Sequence, residues 1–457
     1  MARDNHAIAM TEGPLLGILV RVAIPIALSN FVQSSYDLVN GLWLGQLGED
    51  AIAAVTASGP IFGVLISLGS GLSTAGAVLI AQNAGAKRFE ALDHVAAQTL
   101  LMVAAMALAF TLFGLVASAP LLRLIGVEPE IASLANTYLA IRYAGMIPMF
   151  AFMAIQAMLQ AVGEVRFAMR VQIASLALNA ALDPLLIFGF GPLPALGVSG
   201  AAIATVVSQL AALLVVLHHM LSGHSSLHLR KRHFRPDLGH IWLATGLGVP
   251  ASVEQAIRTF SSLLLMSLAA SFGTVGLASY GVGTRLLFFW FALIIGLSVA
   301  VATVVGQNVG AGRIDRAEAA ARIGAWLGFG SLTLVGLALL PVVPSIMAAL
   351  APGETEVIAR ASTFAYVYLP FMGLGTAGQV MLGVFRGAGS TRQSMTLSVA
   401  QQWLFQMPAA LVLALWTPAG IDGVWWSYPI GGAALTAMTL LWFHHGPWRR
   451  RLVTASA

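Results

Sequence analysis

Long apolar stretches free of ionisable side chains alternate along this chain with short polar ones. His94 to Leu122 contains no Asp, Glu, Lys or Arg, and neither does Ile323 to Gly353. Each run exceeds the roughly 20 residues that a helix needs to cross the hydrocarbon core of a bilayer. The same reading predicts twelve spans, over 15–38, 52–82, 95–118, 133–160, 168–190, 197–220, 241–270, 275–305, 320–342, 357–384, 394–416 and 422–443. Gly, Ala and Leu dominate them without a period-two alternation, which favours helices over a membrane barrel. The expected fold class is an all-α integral membrane protein of 12 transmembrane helices.

Composition excludes a soluble domain. Hydrophobic residues make up 58% of the 457 and charged residues 9%, against roughly a quarter charged in ordinary domains. So few charges cannot cover a water-facing surface, and most of the surface must face lipid. The apolar stretch after the polar segment Met1–Gly13 is too long for a signal-peptide core and is expected to be retained. Cysteine is absent, so disulfides and thiolate chemistry are excluded.

A net charge of +5 suggests nucleic acid until the basic residues are placed. Arg3, Lys87, Arg88, Arg166, Arg170, Arg230, Lys231, Arg232, Arg235, Arg313, Arg316, Arg322, Arg386, Arg392 and Arg449–Arg451 fall on one side of the predicted spans. Arg123 and Arg360 fall on the other. Positive loops stay cytoplasmic, so both termini are expected inside a cytoplasmic (inner) membrane. Arg230-Lys231-Arg232 reads as a topology anchor, and no nucleic-acid partner is expected.

The chain repeats itself. Residues 66–88 align without gaps on 291–313, pairing Gly71 with Gly296, Ser73 with Ser298, Gln82 with Gln307, Asn83 with Asn308, Gly85 with Gly310 and Arg88 with Arg313. Pro25 and Pro250 share that spacing. Gly163 pairs with Gly389, Pro184 with Pro408, and Gly197-x-x-Gly200 with Gly420-x-x-Gly423, at nearly the same offset. The sequence therefore divides into an N-lobe over 1–221, a basic cytoplasmic linker over 222–240, and a C-lobe over 241–457 ending in a short basic tail. Six spans is an even number, so both copies enter the membrane in the same orientation and should be related by a pseudo-twofold axis along its normal. Two such bundles suit alternating access.

Apart from Asp422, which opens the last of them, three acids fall inside the predicted spans: Asp37, Asp183 and Glu254. A carboxylate near the bilayer centre is costly and marks a functional candidate. Asp37 belongs to the series Asn30, Gln33, Asp37 and Asn40, which shares one face of the first span. Gln172, Ser175, Asn179 and Asp183 repeat the device on the fifth. Packed stripe to stripe, they would enclose a polar chamber of carboxyl and amide oxygens, which suits H⁺ or a hard cation such as Na⁺ at Asp37, Asn179 and Asp183. Glu254 has Arg258 one turn further along the same face, which equally suits a structural ion pair. Arg21, Arg142 and Arg285 are expected to partner these acids or to snorkel. Pro25 should kink the first span, as a hinge or as a static bend.

No phosphate-cradling glycine loop, histidine metal spacing or Ser/His/Asp set lies within a span. Neither ATP-driven pumping within this chain nor an enzyme has support, and no cofactor is expected beyond a coupling ion.

In order and spacing, several pieces together resemble the multidrug and toxic compound extrusion (MATE) family of cation-coupled exporters, over nearly the whole chain. They are YDLVNGLWLGQLG at 36–48, AQNAGAKR at 81–88, Asn179-x-x-x-Asp183-Pro184, GVSGAAIAT at 197–205, GQNVGAGR at 306–313 and FRGAGSTR at 385–392. The resemblance implies a V-shaped pair of six-helix lobes. It also implies export of amphipathic or cationic organic compounds in exchange for H⁺ or Na⁺, by a protein expected to be monomeric among membrane lipids. It places an ion site at Asn179, Asp183 and an acid of the first span, with Thr205 as a further ligand. Gln33, Tyr36, Gln172 and Ser175 would support that site.

This chain departs from the family form at two places. The usual YNLVD is here Tyr36-Asp37-Leu38-Val39-Asn40, which exchanges acid and amide and moves the carboxylate about 5 Å along the helix. The acid that accompanies the equivalent of Glu254 in some members is missing, since Tyr366 to Gly375 contains no carboxylate. The alternatives are a lipid-linked oligosaccharide flippase of the same superfamily and, more remotely, a membrane-embedded lipid-modifying enzyme.

Overall fold

The structure, a computed structural model, describes residues 10–191 and 194–449, with the side chains at 37, 38, 288 and 289 excluded. The Asp37 carboxylate, Arg3, and Arg450 and Arg451 of the basic tail therefore lie outside the described residues. The fold is all-α. Its helices are α1 (Leu15–Leu44), α2 (Glu49–Gly85), α3 (Phe89–Leu124), α4 (Pro129–Ala144), α5 (Met146–Val162), α6 (Val165–Ile187), α7 (Val198–Leu221), α8 (Leu238–Ala270) and α9 (Gly273–Gly310). They continue with α10 (Ile314–Leu339), α11 (Val343–Leu350), α12 (Thr355–Tyr368), α13 (Met372–Gly387), α14 (Thr391–Ala400), α15 (Met407–Leu415) and α16 (Ile421–His445).

By length and apolarity, nine helical stretches among the described residues can cross a bilayer, or ten when α4 and α5, bent by 51° at Gly145, count as one. With α8 and α16 they occupy the twelve positions that the sequence predicts. Pro25 does not end α1, which continues through it.

The repeat is visible in the backbone. Both α2 and α9 end on a turn with a residue in the left-handed region, Lys87 at φ 57° and Gly312 at φ 77°. Arg88 N–H donates to Asn83 O and Arg313 N–H to Asn308 O, capping the two helices alike. Each asparagine also returns its own amide to the carbonyl four residues back, Leu79 or Val304. Gly197 (φ 56°) and Gly420 (φ 54°) enter α7 and α16 through a conformation that only glycine adopts readily.

Packing divides the chain into two compact units. The first holds Leu28–Ser252, the second the start of α1 up to Ala27 together with the chain from Val253. The divisions fall at equivalent places of the repeat, two residues after Pro25 in α1 and two after Pro250 in α8. In the first unit α2 packs on α3 and α5, and α6 packs on α7. In the second, α13 lies between α9, α10 and α16. Small residues allow these close approaches: a side chain at Gly383 or Gly387 would strike Ser298 or Ala302 of α9. An aromatic core of Tyr280, Phe364 and Trp425 fills the second unit, with the Phe364 and Trp425 rings 4.9 Å apart.

Candidate functional site

The polar positions of α1 and α6 meet inside the first unit. Gln172 Nε2 donates to Gln33 Oε1 at 2.8 Å, and Tyr36 OH donates to Ser175 Oγ at 2.6 Å. Ser175 Oγ in turn donates a hydrogen bond to the Ser208 carbonyl of α7 at 2.9 Å. Further along α1, Asn40 Nδ2 reaches Thr205 Oγ1 at 3.4 Å, and Thr205 donates to Ala201 O. One turn within α6, Asn179 Nδ2 donates to Asp183 Oδ1 at 3.2 Å. Asn179 and Asp183 are completely buried, and Tyr36, Asn40, Gln172, Ser175 and Thr205 nearly so.

Local sequence explains this placement. The 3-4-4 spacing of Gln172, Ser175, Asn179 and Asp183 keeps all four on the buried face of α6. Gly200 lets α7 lie against the end of α6, because a β-carbon there would strike the Leu186 backbone. That approach brings Thr205 and Ser208 beside the α6 stripe.

The chemistry of the chamber lies in what is unpaired. Asp183 Oδ2, Asn179 Oδ1 and Asn40 Oδ1 are buried and have no hydrogen-bond partner among the described residues. All three are oxygen acceptors. A buried acceptor without a donor is costly, and a proton or a hard cation removes that cost. No three His, Cys, Asp or Glu side chains converge as a metal set among the described residues, so a cation here would take amide, hydroxyl and single-carboxylate oxygens.

Glu254 has a different setting. Arg258 donates to its Oε1 at 3.2 Å, as the i+4 spacing predicts. Arg386 of α13 shares that oxygen, and Ser394 Oγ donates to Oε2 at 3.0 Å. Two guanidiniums thus share one buried carboxylate. Of the three arginines expected to partner acids or snorkel, Arg142 stacks its guanidinium over the Phe62 ring at 4.5 Å.

Several residues of these networks escape a reading of the sequence. Ser208 and Gln156, whose amide reaches Gln172 at 3.4 Å, look like ordinary small or polar residues of apolar helices. Arg386 reads as a loop charge, although its place in FRGAGSTR sets it apart. Glu164, near the start of α6, binds the linker through Ser225 Oγ at 3.1 Å and through the Ser226 amide.

Comparison with known proteins agrees with this architecture. The MatE family model matches residues 25–185 and 250–412. "Probable multidrug resistance protein YoeA" of Bacillus subtilis (strain 168) is 29% identical over 94% of this chain and 94% of its own length. "Multidrug export protein MepA" of Staphylococcus aureus (strain MSSA476) is 23% identical over 96% of each. A MATE crystal structure in complex with MaL6 superposes with a TM-score of 0.90 at 24% identity, over 96% of this chain and 97% of that one.

Proposed function

The chain belongs to the MatE family of membrane transporters, and on that premise we propose that it is a secondary antiporter. It exports amphipathic or cationic organic compounds across a bacterial cytoplasmic membrane in exchange for H⁺ or Na⁺, by alternating access. Relatives named for multidrug resistance and multidrug export support the cargo class. The observation that carries the coupling is the set of three unpaired acceptors, Asp183 Oδ2, Asn179 Oδ1 and Asn40 Oδ1, buried in one unit.

In this reading Asp183 supplies the negative charge and Asn179 orients it. Asn40 and Thr205 complete the ligand set. A cation entering the chamber supplies the missing partner and binds α6 and α7 to α1. Since α1 also contains Pro25, cation uptake would act on the helix whose two ends belong to different units. Both termini on the cytoplasmic side agree with the distribution of arginine and lysine.

The test uses the purified protein in proteoliposomes with a fluorescent organic cation, under a pH gradient or a Na⁺ gradient. Transport driven by one gradient, and abolished when an ionophore collapses it, is expected. Equal transport with both gradients collapsed contradicts antiport.

A further inference from the structure

The second unit contains a cavity of about 450 Å³ whose charge runs opposite to that of the chamber in the first. We propose that it is a binding site for a small organic monoanion with an aromatic body, such as an aromatic carboxylate, held by Arg258.

The charge comes first. Of the lining residues that the structure describes, Arg258 is the only charged one. Glu254 does not offset it fully, because that single carboxylate, 3% exposed, is shared with Arg386. Two guanidiniums against one carboxylate leave a formal charge of +1. Arg258 keeps 23% of its side chain accessible, and a guanidinium is a planar donor suited to a carboxylate.

The rest of the wall is neutral and hydrogen-bonding. Ser261 and Gln402 line the cavity, and Ser261 Oγ and Gln402 Oε1 are buried without a partner among the described residues. Ser261 can add a donor to the anion beside Arg258, and Gln402 Oε1 can accept from an N–H or O–H of the same molecule. Tyr280, Tyr368 and Tyr428 supply an aromatic face, with the Tyr280 and Tyr428 hydroxyls 3.1 Å apart.

The backbone is altered where these groups converge. Gln401–Gln406 is π-helical, between α14 and α15. Such turns are rare and recur at functional sites. Pro408 lies just past this turn and lacks the N–H that a regular helix would donate back to Leu404. The wider turn sets Gln401, Gln402 and Gln406 all on the cavity wall.

Anion binding in this cavity stands on its own residues, while export of the bound anion rests on the transporter reading above. The test is therefore binding to the detergent-solubilised full chain. The probes are 2-naphthoate, 2-naphthylmethanol and 2-naphthylmethylammonium, which share one ring system and differ in charge. Naphthoate is expected to bind at least tenfold more tightly than the other two. Arg258→Gln should remove that preference while the alcohol binds as before, and Arg258→Lys should keep part of it. Should Arg258→Gln fold poorly, Ser261→Val is expected to weaken naphthoate several-fold and leave the ammonium unchanged. An ammonium that binds as well as naphthoate, or a naphthoate preference that survives Arg258→Gln, overturns the proposal. Loss of gradient-driven transport with naphthoate binding intact would count against the exporter and not against this site.

Discussion

Asn179 donates a hydrogen bond to Asp183 across one turn of α6, at 3.2 Å, and leaves the second carboxylate oxygen without a partner. The amide thus fixes the carboxylate's orientation and keeps one lone-pair face free, while its own Oδ1 is also free. A structural pair would close both oxygens. This one keeps an acceptor site open inside a fully buried environment.

Replacing the amide should therefore cost more than one hydrogen bond. Asn179→Ala is expected to lower stability by about 1–3 kcal/mol, because it strands a buried acid. Tryptophan fluorescence during unfolding measures the loss. The double variant Asn179→Ala/Asp183→Asn should lose less than the sum of the two single changes, since the acid to be stranded is already gone.

The Glu254 network carries the opposite imbalance. Glu254→Gln leaves Arg258 and Arg386 facing each other without their shared carboxylate. Breaking a buried ion pair from one side costs about 3–5 kcal/mol, and a loss toward the lower end is expected, since both arginines retain some exposure. Adding Arg386→Gln should restore part of the stability. Thermal unfolding of the three proteins distinguishes this from a passive surface pair, which would change little.

The two glycines that admit α7 and α16 make matched tests of the repeat. A β-carbon at Gly200 would meet the Leu186 backbone, and one at Gly423 the Leu413 backbone. Gly200→Ala and Gly423→Ala should each destabilise by about 1–3 kcal/mol through overpacking. Only Gly200→Ala should also weaken ion-coupled transport, because α7 carries Thr205 to the chamber.

The linker supplies a pH effect. The His240 backbone N–H donates to Asp237 Oδ1 at 3.2 Å, and His94 Nε2 faces Oδ2 at 3.1 Å. These contacts, the backbone one foremost, hold the Asp237 carboxyl below its ordinary value of 3.8. A lowered folded pKa means the carboxylate stabilises the fold above that ordinary value, and the contribution fades as pH falls through the folded one. Protection from hydrogen exchange over residues 233–241, taken relative to the intrinsic rate at each pH, should fall below about pH 4. Asp237→Asn, which does not titrate there, should show a smaller step.

Much of this was legible from spacing. Each of the twelve apolar runs falls on a helix or on helices in series, because a bilayer demands a fixed length of apolar helix whatever the tertiary packing. The Pro25/Pro250 register revealed the duplication, and the structure divides α1 and α8 at matching points beside those prolines. The 3.6-residue period grouped Gln172, Ser175, Asn179 and Asp183 on one face. What spacing could not supply was the partner across helices. Ser208 meets Ser175 through its main-chain carbonyl, a group that every residue possesses and no sequence marks. Arg386 reaches Glu254 across more than a hundred residues. The π-helical turn was equally hidden, since Gln401–Gln406 lies inside one predicted span, 394–416.

Gradient-driven efflux by Asp183→Asn in proteoliposomes tests the coupling site most directly. The substitution keeps a carbonyl to accept from Asn179 and removes only the charge, so the protein should insert and unfold much as the parent does. Efflux of a fluorescent organic cation is expected to fall at least tenfold under the driving gradient. Parental efflux that still collapses with the gradient would contradict the assignment of Asp183 as the group that takes the coupling cation.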